Sequence, residues 1–395
     1  MNNSKRYDVH CHMFSLDMIM AEVSAMAIYY VIKNVRSTGN TGETISEGYV
    51  EDIWTNLESL LEFILAYVGD NELHYRYIQQ TFQKTAQEQI AIAPQMLDIF
   101  YMFDGILDSK NYGDKYKSFN STSKDNAINI ILDRIKNYIS GKRNRFSEEE
   151  ITQCINEIEN TKGLKYKRDS MGLNPLTPGY YLQYERLKQL HTKHPQTVFP
   201  FFAFDPRRPR IMDIVEKEVN RKSFYGIKLY TRLGFHPDDK GMKPLYQHCI
   251  KNDLPIVVHT SNEGFPPIDN WEYTENANPA AWSKVLAKNP KLRIDFAHFG
   301  GSNEVWTNKI IDFMEIYDNV YADLSYSVEG TLASTLKYWK SRPIVQKRLL
   351  FGTDYPMIMF LGTLENYCEN FLKRFDESQM YILMVTNTQK FLKID

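Results

Sequence analysis

From about residue 196 onward, short apolar runs alternate with stretches of helical spacing. No other feature constrains the fold as much. The runs are TVFPFFAF (197–204), FYGIKLY (224–230), PIVVHT (255–260), LRIDFAHFG (292–300), NVYADLSY (319–326) and RLLFGTDY (348–355). Between them, Met212 to Val219, Met242 to Lys251 and Asn303 to Ile316 read as helices. Short buried strands separated by helices imply a parallel sheet. Two earlier runs extend the series. Residues 7–12, within RYDVHCH, alternate with period two and supply a first strand. MLDIFYMFD (96–104) supplies a second, although its alternation is poor and its neighbourhood helical. Eight strands predict an α/β fold, a (β/α)8 TIM barrel, with large helical insertions after the first and second strands. The alternative is an open doubly wound sheet, but no glycine-rich phosphate turn follows any strand.

The insertions occupy residues 16–195. Leu16 to Val35, Tyr49 to Val68 and Asn71 to Ile90 carry apolar residues at three- and four-residue spacing, as does Asn126 to Ile139. Another helix starts at Ser147, where Ser147 and Glu150 have capping-box spacing. The polar stretch 108–126 between them is expected to be a surface loop.

A barrel with insertions fits 395 residues as a single domain spanning 1–395. The net charge of −2, with no block of like charge, suggests neither nucleic acid nor an acidic polymer as partner. Cys11, Cys154, Cys249 and Cys368 are scattered, which reads as reduced thiols in a cytoplasmic protein. The apolar run from Met18 to Val31 contains Glu22 and is too short to span a bilayer, so no membrane association is expected.

The polar residues fall at one end of these strands. The first ends in His10 and His12, whose two-residue spacing on a strand points both rings to one face. The fourth carries Lys228, the fifth ends in His259, the sixth in His298 and the eighth in Asp354. A lone HxH is as easily two polar residues at a frayed strand end, and one buried histidine is usually a hydrogen-bonded core residue. Four histidines and an aspartate at the carboxyl ends of different strands, where a β/α barrel carries its active site, point instead to a metal.

DVHCH, GIKLY, VVHTS, FAHFGG and LLFGTDYP resemble, in order and spacing, the amidohydrolase superfamily. The likeness is to the amidohydrolase-related branch that includes aminocarboxymuconate semialdehyde decarboxylase. It covers residues 5–15 and about 196–360. The resemblance implies that His10, His12 and His259 bind a divalent metal, zinc being favoured, with Asp354 as fourth ligand or hydrogen-bonded to its water. His298 would polarise the substrate or stabilise developing charge. Asp354 would take the water's proton and pass it to the leaving group. In binuclear members a carboxylated lysine on the fourth strand bridges two metals. GIKLY looks more like the mononuclear branch, so one ion is expected, with Lys228 a cation for substrate. Two ions would follow if Lys228 were carboxylated.

Loops after the strands line the pocket. Of Arg207, Arg208, Arg210, Arg232 and His236, Arg232 is expected to bind substrate and most of the rest to solvate the surface. Asp323 and Ser325 are expected to support the metal ligands from behind, and Gly352 to serve packing.

These residues predict a metal-dependent hydrolase that cleaves a C–N or C–O bond of a small molecule such as an amide, lactone or ester. The alternative is a decarboxylase or hydratase of a small carboxylic acid on the same scaffold, and a third reading is a non-catalytic binding barrel. The insertions would wall the pocket or build a homodimer contact.

Overall fold

Backbone hydrogen bonds join the alternating strands into a ring. The computed structural model describes residues 5–37, 44–65, 69–86, 88–102, 121–161, 177–264 and 271–394. The barrel strands are β1 (Arg6–Cys11), β2 (Ile90–Pro94), β3 (Phe201–Phe204), β4 (Gly226–Leu229), β5 (Ile256–His259), β6 (Ile294–Ala297), β7 (Val320–Asp323) and β8 (Leu349–Leu350). β3 to β8 pair in parallel in chain order, and β1 pairs in parallel with β2. Two seams complete the ring. Ile92 and Gln95 bridge to Val198 and Phe201, and Cys11 bridges to Tyr355. Beside the second seam Val9 N donates to Phe351 O at 3.0 Å. The fold is thus a (β/α)8 TIM barrel with helical insertions after its first and second strands.

The second strand is not where periodicity placed it. Strand β2 is IAIAP at 90–94, and residues 99–102 of the expected 96–104 run are helical instead. The expected helix to Ile90 stops at Ala86. Ala91 and Ala93 face the barrel interior beside Tyr7, Val9, Phe199 and Phe201. Those large neighbours fill the available volume, so alanine fits where a bulky strand residue would overpack. A strand built on alanines lacks the β-branched signature that marks the others.

The lower barrel layer also holds Val257, Ala297, Tyr321 and Leu350, and Phe391 and Leu392 of helix Asn387–Leu392 close it from below. Tyr321 and Phe391 pack ring to ring at 5.4 Å. Outward residues meet helices: Phe296 lies 6.0 Å from Trp282 and 5.8 Å from Phe313, ring centroid to ring centroid. Burial of each such ring contributes about 1.5–3 kcal/mol.

The chain divides into two compact units. Met1–Met13, Asn71–Asp98 and Tyr184–Asp395 form the barrel unit, and Phe14–Asp70 with Ile99–Gln183 form the other. In the second, helix Leu16–Ser37 packs on Lys124–Ser140 and Glu148–Thr161. The buried Glu22 on it accepts from the Thr177 hydroxyl at 2.5 Å and Gly179 N at 2.9 Å. Ser147 and Glu150 make both capping-box bonds, at 3.2 and 2.8 Å. Of the expected loop 108–126, residues 108–120 lie outside the described residues. Ser121–Ser123 pairs antiparallel with Thr44–Ser46. Among the described residues no helix is long and apolar enough to cross a membrane.

Candidate metal centre

The register of β1 against β2 shifts between Asp8 and Cys11. Val9 stays in the apolar layer, whereas His10 and His12 turn together over the end of the barrel. Their ring centroids lie 5.1 Å apart. His298 lies 5.1 Å beyond His10, and His259 a further 4.8 Å beyond His298. All four rings are buried.

Asp354 meets the first end of this row, with Oδ1 3.1 Å from His12 Nε2 and 3.5 Å from His10 Nε2. Among the described residues His10, His12 and Asp354 bring three ligand atoms within 4.8 Å of one another. The other nitrogen of each imidazole is engaged. His10 Nδ1 lies 2.8 Å from Asp323 Oδ2, and His12 Nδ1 2.8 Å from the Gln95 carbonyl. Donation through Nδ1–H leaves Nε2 with a lone pair, the tautomer a metal requires.

His259 reaches this group only through His298. His259 Nε2 donates to Glu263 O at 2.9 Å, and its Nδ1 lies 3.1 Å from His298 Nε2. His298 Nδ1 faces Ser325, 2.9 Å from its hydroxyl and 3.2 Å from its carbonyl. With those protons assigned, the facing nitrogens each present a lone pair. Such a pair must share a proton, or one of the two rings must turn to a cation. Burial, then His298 and Lys228, hold His259 well below the ordinary histidine range, which disfavours the proton. The donor set therefore fits a divalent ion.

Lys228 is 2% exposed, and its Nζ lies 3.1 Å from His10 Nε2. Burial lowers its pKa to about 8, against the pull of Asp354 and Asp323. Burial and then Lys228 hold His10 down at about 3. Burial alone would raise Asp354, but the His12 hydrogen bond and His10 outweigh it and bring it to about 2. Asp354 is thus a carboxylate at neutral pH. Asp295, wholly buried on β6, is pushed well above the carboxylate range by burial and by Asp323, so it adds no charge.

Backbone strain marks the same end. His298 has φ 66° and Asp354 φ 60°, both left-handed. That region costs an L residue about 1–2 kcal/mol and is concentrated at functional sites. Gly352 is explained by close approach: a Cβ there would lie 2.8 Å from the His10 Cβ.

The arginines after β3 are engaged with carboxylates. Arg208 is buried and makes a two-pronged pair with Asp98, at 2.5 and 2.8 Å. Arg207 pairs likewise with Asp205, at 2.9 and 2.6 Å, and Arg210 with Asp213. Arg232 is buried after β4 and donates to the Thr274 hydroxyl at 2.9 Å, while exposed His236 closes a local turn with Asp238 and Asp239. Beside Lys228 lies a small crevice whose walls include Phe204, Tyr230, Phe235 and Asp98.

Asp323 and Ser325 stand where they were expected, behind His10 and His298. Gln95, the Asp8–Thr353 pair and the His74–Tyr355 pair had no readable signal. Gln95 acts through its main-chain carbonyl, and the others are ordinary polar residues brought together across the ring.

A family model described as Amidohydrolase matches residues 168–394. No curated protein matches significantly. Among solved structures, one is 5-carboxyvanillate decarboxylase from Novosphingobium aromaticivorans with manganese and 4-hydroxy-3-methoxy-5-nitrobenzoic acid. It is 12% identical, with 99% of this chain and 96% of that chain covered and a TM-score of 0.53. 5-Carboxyvanillate decarboxylase from Sphingomonas paucimobilis is 13% identical over 55% of this chain and 72% of that chain, TM-score 0.43. 2,6-Dihydroxybenzoate decarboxylase from Rhizobium is 15% identical over 54% and 76%, TM-score 0.41.

Proposed function

The chain belongs to the amidohydrolase family, and from that premise we propose that it is a metal-dependent decarboxylase of a small, hydroxyl-bearing aromatic carboxylic acid. One observation carries the reading. The buried ammonium of Lys228 stands 3.1 Å from His10 Nε2, a fixed cation beside the metal donors that can hold an anionic substrate there. Arg207 and Arg208 do not supply that charge, because Asp205 and Asp98 already take their N–H edges. Phe204, Tyr230 and Phe235 place aromatic side chains around the adjoining crevice. The Novosphingobium decarboxylase, alike in fold over nearly the whole chain, supports the same choice.

His10, His12 and Asp354 would hold one divalent ion, with His259 a further candidate donor. Zinc and manganese both suit nitrogen and carboxylate donors. Bound there, the ion supplies Lewis-acid polarisation of substrate oxygens. Lys228 pairs with the substrate's anionic group, whereas Arg232 is engaged with Thr274. Asp354, ionised at neutral pH, accepts the proton of a substrate hydroxyl and delivers it to the ring carbon bearing the carboxylate. The C–C bond then breaks, its electron pair returns to the ring, and CO2 leaves. His298 stands beside these donors, its ring 5.1 Å from that of His10, and would orient the substrate.

The ionised Asp354 also favours a second reading, a hydrolase that cleaves an amide, lactone or ester with Asp354 as base for water. Metal-loaded protein incubated with a panel of hydroxybenzoic acids and a panel of lactones and amides separates the two. Release of CO2, lost in Asp354→Asn, is expected. Turnover of a lactone or amide with no CO2 from any acid would sink the decarboxylase and leave the hydrolase.

A further inference from the structure

Asp354 is held left-handed, so its segment must be anchored on both sides. On the N-terminal side Thr353 N and Asp354 N donate to His10 O at 3.1 and 2.7 Å, and the Thr353 hydroxyl donates to Asp8 at 2.6 Å. On the C-terminal side the anchor is Tyr355. Its carbonyl accepts from His12 N at 2.5 Å, and its phenol oxygen lies 2.7 Å from His74 Nδ1. His74 is 6% exposed on helix Asn71–Ala86, outside the residues matched by the family model. The Tyr355 ring also packs on Tyr77 at 5.7 Å and is itself 6% exposed. Tyr355 thus touches His12 through its carbonyl, adjoins Asp354 in the chain, and is fastened by a buried side-chain hydrogen bond to His74.

We propose that His74 is a positioning residue for the metal centre: through the Tyr355 hydroxyl it holds Asp354 and His12 in the geometry that binds the ion. Ligand orientation is set by groups behind the ligands, and loss of such support characteristically weakens metal binding. Here the support comes from the helix between the first two strands and passes through a side chain that is not itself a donor. The inference rests on His10, His12 and Asp354 being the metal donors.

Calorimetric titration of Mn2+, and separately Zn2+, into the metal-free full chain tests it. Tyr355→Phe removes only the hydroxyl and keeps the packing on Tyr77, and thermal unfolding of the metal-free variants reports the fold independently. Tyr355→Phe and His74→Ala are each expected to weaken metal binding about 10–100-fold. The double variant should be no weaker than either single one, because both remove the same bond. His74→Asn, which keeps a polar atom near the Nδ1 position, should recover most of the affinity. Unchanged metal affinity in Tyr355→Phe, or losses that add in the double variant, overturns the role of His74 alone. A wild-type chain that binds neither ion overturns it together with the metal reading.

Discussion

Asp323 Oδ2 lies 2.8 Å from His10 Nδ1, and solvent reaches neither side chain. The Asp323 main oxygen contacts extend further, for Oδ1 accepts from His298 N at 3.0 Å and the Ser325 hydroxyl at 2.5 Å. Burial would raise this carboxyl, but His10 and its other donors hold it well below the usual range. Asp323→Asn keeps the shape and removes the charge that makes His10 Nε2 basic. Metal affinity should fall about 10–100-fold, read by calorimetry with Mn2+; an unchanged Kd would sink the role.

His10→Ala, His12→Ala and His259→Ala should each lose most of the bound metal, measured by elemental analysis after purification. His298→Ala should keep the metal and lose turnover. Loss of metal in the His298 variant would place its Nε2, 3.1 Å from His259, on the ion.

Lys228 titrates near 8 because burial disfavours its ammonium. The charged form exists below that pH and is lost above it. Affinity for an anionic inhibitor such as a nitrobenzoic acid should be level below pH 8 and fall up to tenfold per unit above it. Lys228→Met should bind weakly at every pH. A pH-independent wild type would contradict the assignment.

Asp354 has its pKa depressed to about 2 from an ordinary 3.8. The stability this contributes to the metal-free protein is present above pH 4 and disappears as pH falls from about 4 to about 2. Asp354→Asn should show a flatter acid-unfolding curve over that window. Its turnover should fall by about 10²–10⁴ with the fold retained. Near-normal turnover by a metal-loaded Asn variant would remove Asp354 from proton transfer.

Gly352→Ala forces a methyl to 2.8 Å from the His10 Cβ and 3.1 Å from the Ser325 Cβ. Neither neighbour is the free end of a flexible chain. Denaturant unfolding should show a loss of about 1–3 kcal/mol, and wild-type stability would mean that β8 shifts to make room.

Seven of the eight barrel strands were legible, because β-branched and aromatic residues in short runs separate cleanly from helical spacing. Strand β2 was not, since Ala91 and Ala93 are small for a reason that lies on β1 and at the start of β3, in Tyr7, Val9, Phe199 and Phe201. Site chemistry followed the same division. His10, His12, His298 and Asp354 stood out because polar residues at strand ends are rare in apolar runs. The pairing of Arg208 with Asp98, 110 positions away, has no local trace, and so the sequence put Arg208 among residues expected mostly to solvate the surface, whereas it is buried. Tyr355 carries no sign that its partner is His74, 281 positions earlier.

The ring is sealed by a bond between Val9 and Phe351, and that seam sets a schedule for biosynthesis. At about 5–20 residues per second, roughly 20–70 s of translation separate His12 from Asp354. Throughout that interval β1 has a partner on one side only, β2, and its opposite edge is open hydrogen-bonding backbone. The histidines ride on that edge, so the nascent chain displays His10 and His12 before Asp354, their partner in the folded chain, exists. That open edge invites strand pairing between neighbouring nascent chains, a hazard that ends when the last strand docks.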